Sequence, residues 1–144
     1  MRSMMARKDP YRSFRFLIEF DRVQHGGFSR AKGMAAETKV ESYHEGGLNE
    51  HEHKFATMTT YPNLVLERGV VDPYLWTWHR DVVEGRIQRR TLSIVLQDET
   101  GAEVRRWHAD GAYPVKWSLA DLDAASSQVL VESVEFAHHG LRAD

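Results

Sequence analysis

The stretch Ser42 to Lys54, SYHEGGLNEHEHK, gathers the side chains of this sequence best suited to chemistry. His44, His51 and His53 carry imidazole nitrogens, Glu45, Glu50 and Glu52 carry carboxylates, and both groups ligate zinc and other divalent ions. If residues 50–53 are extended, His51 and His53 project from one face and Glu50 and Glu52 from the other, because side chains alternate along a strand. Two histidines do not complete a site. His44, across the Gly46-Gly47 turn, is the available third ligand, and the trio would suit a small metal-dependent enzyme built on a β-barrel. No glutamate follows at the short range that a His-x-His metal motif of that kind requires, the next acidic residue after His53 being Glu67. A polar loop accounts for the same composition without a metal.

The other candidates are weaker. His79 and Asp81 have no serine elbow beside them, and a chain with no cysteine offers no thiol nucleophile, no disulfide and no cysteine-ligated zinc. His138 and His139 are adjacent, so on a strand they face opposite sides, one packed and one exposed. Asp121 and Asp123 suit a polar loop before the last strand. Gly26-Gly27, Gly33 and Gly46-Gly47 form no phosphate loop or dinucleotide fingerprint and read as turn residues. The expectation is a protein with no catalytic residues, no metal and no cofactor, whose role is structural or binding.

The bulk composition agrees. At 144 residues, 42% hydrophobic and 28% charged, the chain is expected to be a flexible tail over 1–9 followed by one domain over 10–144. Its net charge of −2 gives no electrostatic footprint for nucleic acid or an anionic membrane. A single-strand-binding β-module would need such a footprint. The basic start is followed by no apolar run and nothing approaches a membrane span, so the chain is expected to be made in the cytoplasm without a membrane anchor.

Period-two patterning dominates the elements that would hold these groups. Phe14, Phe16, Ile18 and Phe20 alternate with polar residues as a half-buried strand. HGGFSRAKG reads as a glycine-punctuated connection, AETKVESYHE as a weakly buried strand, and Leu64 to Glu67 as a short one. One helix stands out in VDPYLWTWHRDVVEG: Asp72 caps it, Pro73 suits its first position and Gly85 follows its end. Leu75, Trp78 and Val82 form its apolar stripe, widened by Tyr74 and Trp76. Leu92, Ile94 and Leu96 alternate next, DETG turns the chain, Asp110-Gly111 is expected to reverse it again, and AYPVKWS runs back. In the last strand Val129 and Val131 alternate before the phase slips to Val134 and Phe136, which predicts a bulge, and Pro114 predicts a bulge or an edge in its own strand. About seven strands and one helix give a mainly β fold: two antiparallel sheets forming a sandwich or barrel, with edges open to assembly.

In order, FRFLIEF, GGFSRAKGM, ETKVESYHEGG, LERGVVDPYLWTWHRDV, the run from Arg89 to Ala124 with Trp107, Tyr113, Pro114, Lys116 and Trp117, and VLVESVEFAHHGL resemble the tail tube proteins of contractile phages and phage-derived contractile injection systems. The similarity runs from about Pro10 to Leu141. It implies a β-barrel-like domain with an outer helix, six copies joined in a ring, and rings stacked as a hollow conduit for DNA or protein cargo. It also implies partners: further copies of the chain, a sheath, and baseplate and tube-initiator proteins. The same fold serves in initiator rings at the baseplate. The loop from His44 to about Thr60 would reach a neighbouring copy, using Glu45, Glu50 and Glu52, and the helix residues Arg80, Asp81, Glu84 and Arg86 would face the sheath. The expected location is an assembled phage tail or injection particle.

Overall fold

The computed structural model describes residues 14–43, 53–125 and 130–144. Along the chain run β1 (Phe16–Phe20), β2 (Val23–Lys32), β3 (Glu37–Tyr43), β4 (His53–Thr60), β5 (Leu64–Val71), α1 (Pro73–Val83), β6 (Arg90–Gln97), β7 (Glu103–Leu119), β8 (Val131–Ala137) and β9 (Gly140–Ala143). The large sheet has the order β6-β1-β2-β5-β8-β7-β9, and β6 also pairs with β7. That extra pairing closes six strands into a barrel and leaves β9 added to the outer side of β7. Every pair is antiparallel. β3 and β4 form a separate two-stranded ribbon. The expected fold class holds, with two antiparallel sheets and, among the described residues, one helix, while closure removes the sheet edges that an open sandwich would leave. Among the described residues, open backbone edges remain on the ribbon and on the outer side of β9.

Alternation builds the core. Ile18, Phe20, Phe28, Leu64, Leu66, Leu92, Ile94, Val134 and Phe136 project inward and pack as one buried cluster. Leu17 and Val95 pair directly across β1 and β6 and are also buried, so this part of the wall is apolar on both faces. Helix α1 adds Leu75 and Trp78 to the cluster. The Trp78 ring lies 4.9 Å from Phe20 and 6.0 Å from Phe136, and its Nε1 donates to the Gln88 carbonyl at 2.8 Å. The helix starts where the sequence says it should: the Asp72 carboxylate accepts from the Tyr74 N–H, Pro73 opens the first turn, and Gly85 at φ +89° follows the cap. Tyr74 departs from expectation, since it lies 69% exposed outside the stripe.

Three connections were misread from sequence. The supposed link HGGFSRAKG is most of β2. Its glycines are needed for close strand approach rather than for turning: a Cβ on Gly69 of β5 would run into the Gly27 carbonyl, and one on Gly26 would meet the Val70 carbonyl at 2.9 Å. The actual reversal between β1 and β2 is Asp21-Arg22, at φ 54° and 65°, a two-residue hairpin turn without glycine. Asp110-Gly111 does not reverse the chain. Gly111, at φ +62°, bends β7 where it changes partners: residues up to Asp110 pair with β9, and residues from Tyr113 pair with β8. One long strand thereby turns the corner that closes the barrel. The two expected bulges are present, at Pro114/Lys116 in β7 and opposite Ser118/Leu119 in β8. Val129 and the expected tail over 1–9 lie outside the described residues.

Candidate assembly surfaces

The ribbon differs from every other part of the described chain. All seven residues of β3 and seven of the eight in β4 are exposed. Its register places Glu41 opposite Phe55 and Tyr43 opposite His53, so these four side chains share one face, while Val40 and Ala56 share the other. The Tyr43 ring stacks on His53 at 5.1 Å and lies 5.7 Å from Phe55. Val40, Tyr43, Phe55 and Met58 are 53, 48, 47 and 57% exposed. Threonine pairing adds a hydrogen bond, Thr38 to Thr59 at 2.8 Å. A two-stranded ribbon with nothing among the described residues packed on either face is marginal in water, and an apolar surface of this kind marks an interaction site.

The sequence-derived loop from His44 to about Thr60 is corrected here. Its second half is β4, because HKFATMTT alternates and pairs with β3. His44, Glu45, Gly46, Gly47, Glu50, His51 and Glu52 lie outside the described residues, so the three-histidine metal set is represented only by His53, stacked on Tyr43. Among the described residues no cluster of three or more histidine, cysteine, aspartate or glutamate side chains could hold a metal ion.

The helix residues separate into two groups. Arg86 lies beyond the helix end and bridges Asp81 at 3.0 Å and Glu84 at 2.7 Å. The hydrogen bond to Asp81, then that to Glu84, holds the guanidinium above its ordinary value. These three charges pair at an exposed helix end and leave a net −1 there, and such exposed pairs contribute little to stability. Arg80 stands apart on the stripe with Trp76, His79 and Val83, beside Trp117 and Leu119 of β7. The His79 Nδ1 accepts the Trp117 Nε1–H at 2.9 Å, and the Trp117 ring meets Trp76 edge-on at 4.7 Å. Sequence reasoning missed this tryptophan pair and the aromatic face of the ribbon. The available signal was aromatic residues on strands with too little apolar alternation to be core.

A third surface is polar. On the outer face of β1, β6, β7 and β9, Glu19 and Glu103 both hold Arg106, Asp110 holds Arg142, and Asp144 contacts His108. Glu103 and then Glu19 hold the Arg106 guanidinium well above its ordinary value, and Arg142 holds the Asp110 carboxyl below the usual aspartate range. Ser93 completes the lattice through His108 at 2.8 Å. Acid and base alternate across the strands, so this face stays charged without carrying one sign. His138, half-buried, contacts the Pro62 carbonyl at 3.1 Å, while His139 is exposed, as their adjacency implies. Asp123 accepts from the Ala125 N–H in an exposed loop and is not paired with Asp121 as an acid couple.

No helix among the described residues is long and apolar enough to cross a membrane. The fold has known relatives. Over 96% of its length the chain is similar, at 30% identity and TM-score 0.68, to 97% of a chain in the six-fold symmetrised baseplate of the anti-feeding prophage. A chain of the PVC extracellular contractile injection system, from the sheath–tube complex in the extended state, matches at 19% identity and TM-score 0.69, covering 100% of this chain and 97% of that one. Hcp1 from Flavobacterium johnsoniae shares the fold at 12% identity and TM-score 0.51, over 90% of this chain and 94% of its own. No curated protein matches the chain. The profile of the T4-like virus tail tube protein gp19 matches residues 12–142, nearly the whole sequence, and the chain belongs to that tail tube family.

Proposed function

We propose that this chain is the repeated structural subunit of the inner tube of a contractile phage tail or phage-derived injection particle. Six copies form a ring, rings stack, and the bore conducts DNA or protein cargo. The observation that carries this reading is the ribbon: a finished, closed barrel holds out two strands whose apolar side chains have no cover within the described residues. A monomer leaves that surface wet, and a neighbouring copy buries it. Family membership and the six-fold symmetry of the assembly containing the 30% identical relative support copies of the same chain as the cover.

The tube performs no bond chemistry and needs no cofactor in this reading. Its task is rigidity, which a closed barrel with a single well-packed core supplies. Sheath and baseplate proteins are its other partners, by analogy with the relatives from a sheath–tube complex and a baseplate. The helix end of Asp81, Glu84 and Arg86, paired but net −1, is the surface offered to the sheath, with Arg80 at its border. The segment His44 to Glu52, continuous with the ribbon, contributes its carboxylates to the contact between copies. A once-used initiator ring at the baseplate is the second reading, favoured by the baseplate origin of the 30% identical relative.

Negative-stain electron microscopy of the purified protein over a range of concentrations tests the reading. Six-fold rings that stack into tubes are expected. Single rings that never stack would favour the initiator, and isolated monomers at every concentration would overturn both.

A further inference from the structure

Trp76, His79, Arg80 and Val83 recur at three- and four-residue spacing along α1. With Trp117 and Leu119 they line a groove of about 550 Å³ between the helix and the end of β7. Its floor is braced by the Trp76 and Trp117 contact and the Trp117 to His79 hydrogen bond. Its rim is not: Val83 is 72% and Trp117 40% exposed. Arg80 is the one permanent charge among the six lining residues, and among the described residues it forms no ion pair. The groove is thus apolar with a single unmatched cation at its lip.

The ribbon presents the converse. Tyr43, His53 and Phe55 make one end of a face aromatic, and by alternation along β3 that face also carries Glu37, Lys39 and Glu41, a net charge of −1, with Glu41 directly opposite Phe55. We propose that the groove between α1 and the end of β7 receives the aromatic face of the β3–β4 ribbon of a second copy of this chain, Glu41 meeting Arg80. Apolar surface meets apolar surface, Arg80 meets Glu41, and the ribbon face, where Glu37 and Lys39 offset each other, keeps a net −1 against the single cation of the groove. Groove and ribbon are different surfaces of one molecule. Their contact is therefore heterologous and leaves each added copy with a free groove or ribbon, so it extends into a closed ring or a stack rather than stopping at a two-fold dimer. This assignment rests on the self-assembling reading above and gives it a specific contact.

A charge exchange tests it. Arg80→Glu and Glu41→Arg, made separately, are each expected to raise the concentration for half-maximal ring formation about tenfold or more, followed by sedimentation velocity and electron microscopy. The double variant, with the charges swapped, recovers assembly to within about threefold of the parent. Both residues are exposed, so unfolding midpoints that match the parent separate a lost contact from a lost fold. Parent rings with unchanged assembly of Arg80→Glu would overturn the groove contact and leave the tube reading standing. So would loss in both single variants without recovery in the double, which assigns the two charges to different partners, the sheath among them. A parent chain that stays monomeric throughout defeats the tube reading itself, and this contact with it.

Discussion

The barrel and the ribbon are built from the same kind of strand, yet only the barrel is complete by itself. In the barrel every inward side chain meets others from across the wall, and the six strands satisfy one another around the closed circuit. The ribbon has similar residues, backbone pairing and aromatic contacts, but no second layer among the described residues. The difference teaches that strand formation and burial are separate events: local alternation suffices to pair β3 with β4, while in the proposed tube a second molecule buries them. Stability is expected to reside in the first region and assembly in the second.

Substitutions can break that division, beginning with the largest effect. Phe28→Ala empties the centre of the barrel, where Phe28 is fully buried, and is expected to cost about 3–5 kcal/mol by urea unfolding. A cost near that of a surface site would mean the core is not where the barrel places it. Asp72→Ala removes the helix cap and the 2.8 Å contact to His25, with an expected loss of about 1–2 kcal/mol in the same measurement.

Smaller still is the acid dependence of the polar face. Arg142, through its hydrogen bonds to Asp110, holds that carboxyl below the usual aspartate range, with burial opposing it. A depressed folded value stabilises above the unfolded value of about 3.9 and loses that contribution as pH falls through the folded value. Both partners are largely exposed, so solvent screening leaves the pair only a small contribution. Thermal melts between about pH 6 and 2.5 are therefore expected to lose slightly less stability in Asp110→Asn than in the parent. A steeper acid loss in the variant would reverse the assigned sign.

The sharpest contrast has the smallest effect on the monomer. Phe55→Ala is expected to change monomer stability by less than about 0.5 kcal/mol while abolishing rings in electron micrographs. Destabilisation on the scale of Phe28→Ala would show that the ribbon belongs to the core after all.

How much of this was legible varied with the kind of signal. The helix was readable to the residue, because Asp72, Pro73 and Gly85 each do a local job that no distant contact overrides, the Asp72 contact to His25 using the carboxylate oxygen that the cap leaves free. The fold class and the bulges near Pro114 and Glu132 followed from alternation and its slips. Closure was not readable, since the β6–β7 pairing and the bend at Gly111 depend on long-range register. Gly26 and Gly27 misled for a related reason: glycine marks both turns and close strand approach, and only the neighbouring Gly69 distinguishes them. The tight β1–β2 turn hid behind Asp21 and Arg22, which adopt positive φ without the usual glycine. In the histidine stretch, composition suggested metal ligands, whereas the register of His53 with Tyr43 puts its ring in an aromatic stack on an exposed surface. The groove was invisible from sequence because α1 and the end of β7 are brought together only by the fold.

Hydrogen exchange, measured on dilute monomer and on assembled protein, tests the central claim most directly. In the monomer the amides of β3 and β4 should exchange far faster than those of β1, β2 and β5, and on assembly the ribbon should become protected while the barrel changes little. A ribbon already protected in the monomer, or one that still exchanges fast within rings, would contradict the account.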